Sequence, residues 1–572
     1  MSDIQNIQTI KEYHQRTKHH FHKFANALGF MDWATQPDPF RRFLGTPLIV
    51  LSLQKSDQTP SYPDIFIPGK IFAQPLSFET ISKFFEYSLA ISAWKQYGDS
   101  RWALRINPSS GNLHPTEGYA VLPSVAGISE HPGIYHYAPH EHALEKRAEF
   151  SQRLWTGLKS REPGNFFLLA LTSIAWREAW KYGERAYRYC QHDCGHALMA
   201  ASIASRILGW RISLVSDISD EEISGLLGLD RRQEFHQDEK EWPELLALVS
   251  CNPIKKNFFK KIPEEFINGV KNSKWFGRAN ILSAQHHNWE LIDQANDACE
   301  KPLSFPNVLA PSYRGLPLVV GNPDKAMTGP PTEAFGGDSE FIYDHAESAY
   351  QIIKKRRSAV EMDGQTFIDR AAFFRILRRV SVRFTEIPWS PMVHLGLFVH
   401  RVNGLKQGIY VLIREPKKVD LLKTQMHKDF HWEKSEGCGE NFLLFFLKAG
   451  NYIDASKTLS CTQDIAGDGV FSLGMIAEFD APLKEFGAWF YKRLFWETGM
   501  IGQLLYLEAQ ASGISATGIG CFFDDPVHEI FGLQGDAFQS LYHFTLGGAV
   551  EDKRLTTLPP YDMLSVKSIK DE

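Results

Sequence analysis

The chain has 572 residues, of which 43% are hydrophobic and 23% charged, with 62 basic against 67 acidic side chains. A net charge of −5 offers no electrostatic footprint for nucleic acid or an anionic membrane, and the length exceeds what one hydrophobic core supports. Seven scattered cysteines without a CxxC pair fit a reducing compartment better than a disulfide framework, so a cytoplasmic protein is expected.

In chain order, residues 1–60 read as an N-terminal extension. They show no basic segment followed by an apolar stretch, so no secretory signal is expected. His14, His19, His20 and His22 suggest a polar helix face. Residues 61–300 read as a first α+β domain. It contains a helix around FFEYSLA (84–90), the run NPSSGNLHPTEGY (107–119), the strand GIYHY (133–137) and the apolar run FFLLALTSIAW (166–176), too short to span a bilayer. Residues 301–340 form a Pro/Gly-rich linker, with seven prolines and five glycines between 302 and 337. Residues 341–572 read as a second α+β domain.

The two domains look like copies. A shift of 304 lays Gly195, Gly209 and Gly228-Leu229 onto Gly499, Gly513 and Gly532-Leu533. It also pairs Tyr187 with Tyr491, Asp220 with Asp524, Arg188 with Lys492 and Asp193 with Glu497. Only six of the 46 positions from 185 to 230 are identical, so the physical pattern weighs more than identity. In each half a long helical stretch ends at a glycine suited to a left-handed cap. A short extended run follows, then an acidic helix start ending in Gly-Leu. A duplicated chain can form a two-fold pseudo-dimer within one polypeptide, with sites built from both halves.

RINPSSGNLHPTEGYAVL (105–122), GIYHYAPHEHAL (133–144) and KYGERAYRYCQHDCGH (181–196) together resemble the nitroreductase superfamily, in its SagB/ThcOx-type dehydrogenase branch. KKRRSAVEMDG (354–364), GISATGIGCFFDDPVHEIFGL (513–533) and LGGAVEDKR (546–554) in the second half resemble the same superfamily. The resemblance implies the nitroreductase fold duplicated as an intramolecular pseudo-dimer, with FMN between the halves. It places Arg356, Arg357 and Ser358 at the flavin phosphate and ring edge, and Pro108, Ser109, Ser110 and Asn112 at the ring and ribityl chain. Gly518, Gly520 and Cys521 would pass the N5/O4 edge, and Arg554 would meet the phosphate. Residues 66–69, the counterpart of the arginine segment, carry no Arg or Ser, and residues 384–392, the counterpart of the PSSGN loop, keep a Pro and little else. One FMN per chain is therefore expected.

Lys181-Tyr182 is the candidate catalytic pair, present only in the first half because Glu485-Phe486 stand at the shifted position. It matches the pair that the azoline-oxidising members of the superfamily use. For each motif a plainer role stays open: a capping turn for PSSGN, a snorkelling Lys over a packed Tyr, a solvated KKRR run. Cys521 reads equally as a redox thiol or a small packed residue. Arg177, Arg185 and Arg188 have Glu178, Glu184 and Asp193 nearby as ion-pair partners. Cys190, His192, Cys194 and His196 do not converge on one helix face, so no metal is expected. The implied function is an FMN-dependent oxidoreductase, a dehydrogenase passing hydride from an azoline-like or peptide-derived substrate to the flavin, with oxygen or another acceptor as reoxidant. An NAD(P)H-dependent nitro or quinone reductase and a non-catalytic flavin-binding scaffold are the alternatives.

Overall fold

A computed structural model describes residues 3–162, 164–251, 261–303, 347–439 and 441–561. Most of the Pro/Gly-rich stretch, from 304 to 340, lies outside the described residues. Each half is built on an antiparallel sheet. The first runs in the order Lys274–Trp275, Ala143–Glu149, Gly133–Ala138, Thr116–Leu122, Phe166–Ile174, Glu241–Ser250, Arg211–Leu214, with the short Leu48–Val50 added beside Ala143–Glu149. The second runs Glu433–Lys434, Leu444–Ala449, Gly408–Leu412, Val393–Val399, Phe471–Glu478, Phe538–Gly547, Ser515–Ile519. Six strands occupy the same places in the same chain order. The seventh, at the outer edge, comes from the end of the domain in the first half and from mid-domain in the second.

Alternation along these strands explains the layering. Ala120, Leu122, Leu169, Leu171, Leu245 and Ala247 face a central core, while Tyr119, Val121, Leu168, Ala170, Leu246 and Leu248 face an outer one. The second sheet divides likewise, with Leu395, Leu397 and Leu473 turned inward and Phe398, Ile409 and Val411 outward. The central core is shared by both halves and holds the helices Ala186–Ile207 and Phe490–Ala511. These cross where both have a glycine. A Cβ on Gly195 would stand 2.2 Å from the Trp496 carbonyl oxygen, and one on Gly499 2.1 Å from that of His192. Mid-helix glycine costs about 1 kcal/mol relative to alanine, and close backbone approach is what it makes possible here.

Each half also reaches around the other. Helix Asp3–Arg16 lies on the second half, where Lys11 pairs with Asp480 and Asp536 and His14 contacts Tyr491 and Gln539. Strand Thr556–Leu558 joins Ile91–Tyr97 of the first half, and the Tyr561 hydroxyl donates to the Pro139 carbonyl at 2.9 Å. The helix ends at Arg16, and His14 and His19 are buried, so the expected histidine-bearing polar face is absent from both positions. Burial against the second half is the reason. Among the described residues no helix is long and apolar enough to cross a membrane.

Candidate functional site

The PSSGN loop connects strand Ser100–Arg105 to strand Thr116–Leu122. Gly111, Asn112 and His114 all have left-handed backbone, with φ of 58°, 60° and 53°, a costly geometry for the last two. Side chains hold it. Ser110 donates from its amide and its hydroxyl to Asp193 at 3.1 Å, and the His114 amide donates to Ser109 Oγ at 2.8 Å. Asn112 donates to the Ala103 carbonyl at 2.9 Å, and its Oδ1 meets His114 Nε2 at 3.0 Å. Asn112 is thus tied to strand Ser100–Arg105 at one end of its amide and to His114 at the other. A capping and shaping role accounts for Ser109, Ser110 and Asn112, and Pro108 is buried.

Helix Ala175–Tyr182 ends beside this loop. The Tyr182 hydroxyl lies 2.6 Å from where a Cβ on Gly111 would stand, and Lys181 Nζ is 5.2 Å from the Tyr182 ring centroid. Burial, reinforced by Glu178, Tyr189 and Asp193, holds the Tyr182 phenol well above its ordinary pKa, so it keeps its proton. Asp193 is pushed up to about 7 by burial, against the pull of its serine hydrogen bonds. Glu178 is also raised, by burial and by Asp193, against the pull of Lys181 and Ser109.

From the second half, Arg356 is buried and its Nη2 donates to the Arg105 carbonyl at 3.0 Å, three residues before Pro108. Its Nε is buried without a partner, as is that of Arg105. Arg357 is half-buried and turned onto backbone carbonyls of Lys354 and Arg356. Tyr506 joins the next pieces: its hydroxyl lies 2.9 Å from Ser358 Oγ and accepts from the Gly518 amide at 2.9 Å, while the Arg356 guanidinium sits 5.0 Å from its ring centroid. The glycines after it make room for tyrosines. A Cβ on Gly518 would stand 2.0 Å from the Tyr542 hydroxyl, and one on Gly520 2.4 Å from the Tyr189 ring. Tyr189 in turn packs edge-on against Tyr182 at 4.6 Å.

The loop, the Lys181-Tyr182 end and the Gly518–Cys521 strand therefore meet at one seam between the halves, with Arg356 and Ser358 attached through Arg105 and Tyr506. Arg554 does not join them: it is exposed, and its contacts are Asp552 and the Tyr97 ring. The local ion pairs expected near Lys181 are also replaced. Arg177 pairs with Glu117, Glu184 with Arg16, and Arg185 and Arg188 both with Asp524. Tyr506, Tyr542, Arg105 and His114 were missed by the sequence reading, since a lone Tyr, Arg or His carries no local signal.

Two cavities lie elsewhere. One of about 860 Å³ is lined by Phe66, Ile67, Arg206, Trp210, Arg379 and Glu386 among others. It occupies the position where the counterparts of the arginine segment and the PSSGN loop meet. Another, of about 310 Å³, lies beside His286 and Asp238. There His236, Asp238 and His286 bring one ligand atom each within 4.8 Å of one another, a group that the sequence reading did not single out.

No protein-family model and no curated protein matches the chain. Among solved structures, a candidate nitroreductase of Anabaena variabilis superposes with a TM-score of 0.65 at 19% identity, over 95% of this chain and 99% of its own. The fold is therefore that of nitroreductases. An Exiguobacterium sibiricum protein described as a nitroreductase in complex with FMN reaches a TM-score of 0.22 at 14% identity, over 37% of this chain and 92% of its own. The Escherichia coli microcin synthetase complex reaches 0.25 at 19% identity, over 44% of this chain and 94% of that one.

Proposed function

We propose that the chain is an FMN-dependent oxidoreductase, built as an intramolecular pseudo-dimer by duplication and binding one FMN at the seam between its halves. The observation that carries this reading is the meeting of Tyr182 with Gly111, where the catalytic candidate from one helix packs on the PSSGN loop beside the glycine strand of the other half. The residues fit a phosphate-bearing planar group. Arg356 presents a buried Nε without a partner, Arg357 adds a second cation, and Ser358 and Tyr506 add hydroxyls.

FMN supplies acceptance of a hydride from a substrate C–H bond. The chain's own part is to hold the phosphate through Arg356, Arg357 and Ser358, and to manage the proton. Tyr182 stays protonated and would donate a hydrogen bond at the substrate, and Lys181 beside it, as the neutral amine, would take the proton released as hydride leaves. An azoline-like or peptide-derived substrate is the class we assign, with oxygen as terminal acceptor. The test is to release and count flavin per polypeptide, then mix the holoenzyme anaerobically with a thiazoline-bearing peptide. One FMN per chain and bleaching by the peptide support the reading. Bleaching by NADPH alone replaces it with a reductase, and no flavin even after reconstitution leaves a scaffold.

A further inference from the structure

Cys461 follows helix Ile453–Leu459 in a turn where it and Thr462 both take left-handed backbone, with φ of 55° and 59°. This turn is tied to the end of the glycine strand. The Phe523 amide donates to the Leu459 carbonyl at 2.8 Å, and Gln463 Nε2 bridges the carbonyls of Ser460 and Cys521 at 2.7 and 3.1 Å. The tethers set the Cys461 and Cys521 sulfurs 2.7 Å apart, approaching the roughly 2.05 Å of a disulfide bond. Both cysteines are partly exposed, whereas Cys190, Cys194, Cys251 and Cys299 are buried.

We propose that Cys461 and Cys521 form a reversible thiol–disulfide couple that exchanges with small-molecule disulfides at the edge of the seam.

The surroundings make the two thiols unequal. Cys521 lies beside His19 and Arg185, whose guanidinium donates to the Gly520 carbonyl at 3.1 Å and pairs with Asp524. The Cys461 thiol as hydrogen-bond donor, then His19 and Arg185, outweigh burial and bring Cys521 down to about 5, while Cys461 is pushed up. Cys521 is thus the attacking thiolate and Cys461 the resolving thiol. In the first step Cys521 Sγ attacks one sulfur of a disulfide RSSR. The S–S bond breaks and RS⁻ leaves with the electron pair and takes a proton. In the second, Cys461 gives up its proton to solvent and attacks Cys521 Sγ, expelling the other RS⁻. The protein pair loses two electrons and RSSR gains them, yielding two RSH.

The couple needs no flavin, so its test is independent of the proposed function. The reduced full-length chain is exposed to 2-hydroxyethyl disulfide, quenched with acid, denatured, alkylated and weighed. Seven alkylations are expected before exposure and five after, with a Cys461–Cys521 linked peptide in the digest that dithiothreitol releases. Cys461→Ser should trap one hydroxyethyl adduct on Cys521, and Cys521→Ser should slow adduct formation about tenfold or more. Seven alkylations after exposure, or a linkage between other cysteines, overturns the proposal.

Discussion

Arg188 in the first half holds Asp524 of the second at 2.9 Å, and the shifted positions repeat the contact in reverse, Lys492 holding Asp220 at 2.8 Å. The four groups are all buried. Under the proposed duplication, such reciprocity is what an isologous contact within one chain would leave. Asp524 is the more heavily committed carboxylate, since Arg185 also binds it at 3.0 Å. Burial opposes its ionisation, but Arg185 and Arg188 outweigh burial and hold it far below the usual carboxylate range. Asp524→Asn strands two buried guanidinium groups and is expected to cost about 3–5 kcal/mol. Denaturant unfolding measures this. The charge-dependent part of the stability is present above the unfolded carboxyl pKa of about 3.9 and lost as pH falls through the lower folded value.

The glycine crossing makes a second, purely steric prediction. Gly499→Ala drives a methyl group against the His192 carbonyl oxygen and the Gly195 Cα, both backbone atoms that cannot swing aside. The expected loss is about 3 kcal/mol or more. Gly157→Ala, where a Cβ meets open space in another helix, should be neutral or stabilising. Equal melting temperatures for the two variants would mean that the helices separate freely at the crossing.

Features that backbone geometry imposes were legible in the sequence. Gly209, Gly228, Gly513 and Gly532 have φ of 68°, 71°, 72° and 76°, a region where side chains are costly, so the glycines mark helix ends without any knowledge of the fold. Gly195 and Gly499 showed in the sequence only as matched positions, because a close approach of two helices leaves no local signal. Side-chain partners were not. Arg188 has acidic neighbours in sequence, yet its partner comes from 336 residues away. Cys461 and Cys521 are 60 residues apart and meet only because the 459–463 turn is stitched to the strand end. Tyr506 has the same character: it lies on a helix of mostly apolar residues, where a phenol reads as core, and only the packed sheet brings Ser358 and the Gly518 amide to its hydroxyl.

His136 gives a pH signature of the first sheet. It sits between Glu117 at 2.9 Å and Glu145 at 2.8 Å, fully buried. Burial lowers its pKa, but the two glutamates outweigh this and raise it to about 9. The stabilisation is complete below the unfolded value of about 6.5 and is lost as pH rises through about 9. Glu117 runs the other way: against burial, Arg177 and then His136 bring it to about 2, so its contribution survives above about 4.3 and fades toward that lower value. The melting temperature should therefore fall between pH 7 and 10, and His136→Gln should flatten that fall while lowering stability at pH 6. An unchanged slope in the variant would remove His136 as its source.

Tyr182 and Gly111 offer the sharpest test of the seam. Tyr182→Phe keeps the ring on Tyr189 and removes only the hydroxyl, so under the proposed function bound flavin should be retained. Turnover of the thiazoline peptide should fall about a hundredfold. Gly111→Ala adds a methyl where φ is 58° and where the Tyr182 hydroxyl stands 2.6 Å away, displacing the phenol. It should lower turnover to a similar extent, with some loss of stability from the strained backbone. The double variant has no hydroxyl to displace. Its turnover should match that of Tyr182→Phe alone, a non-additivity that identifies one shared target. If the two losses instead multiply, Gly111 acts on the loop rather than on Tyr182, and the phenol is not what the glycine protects.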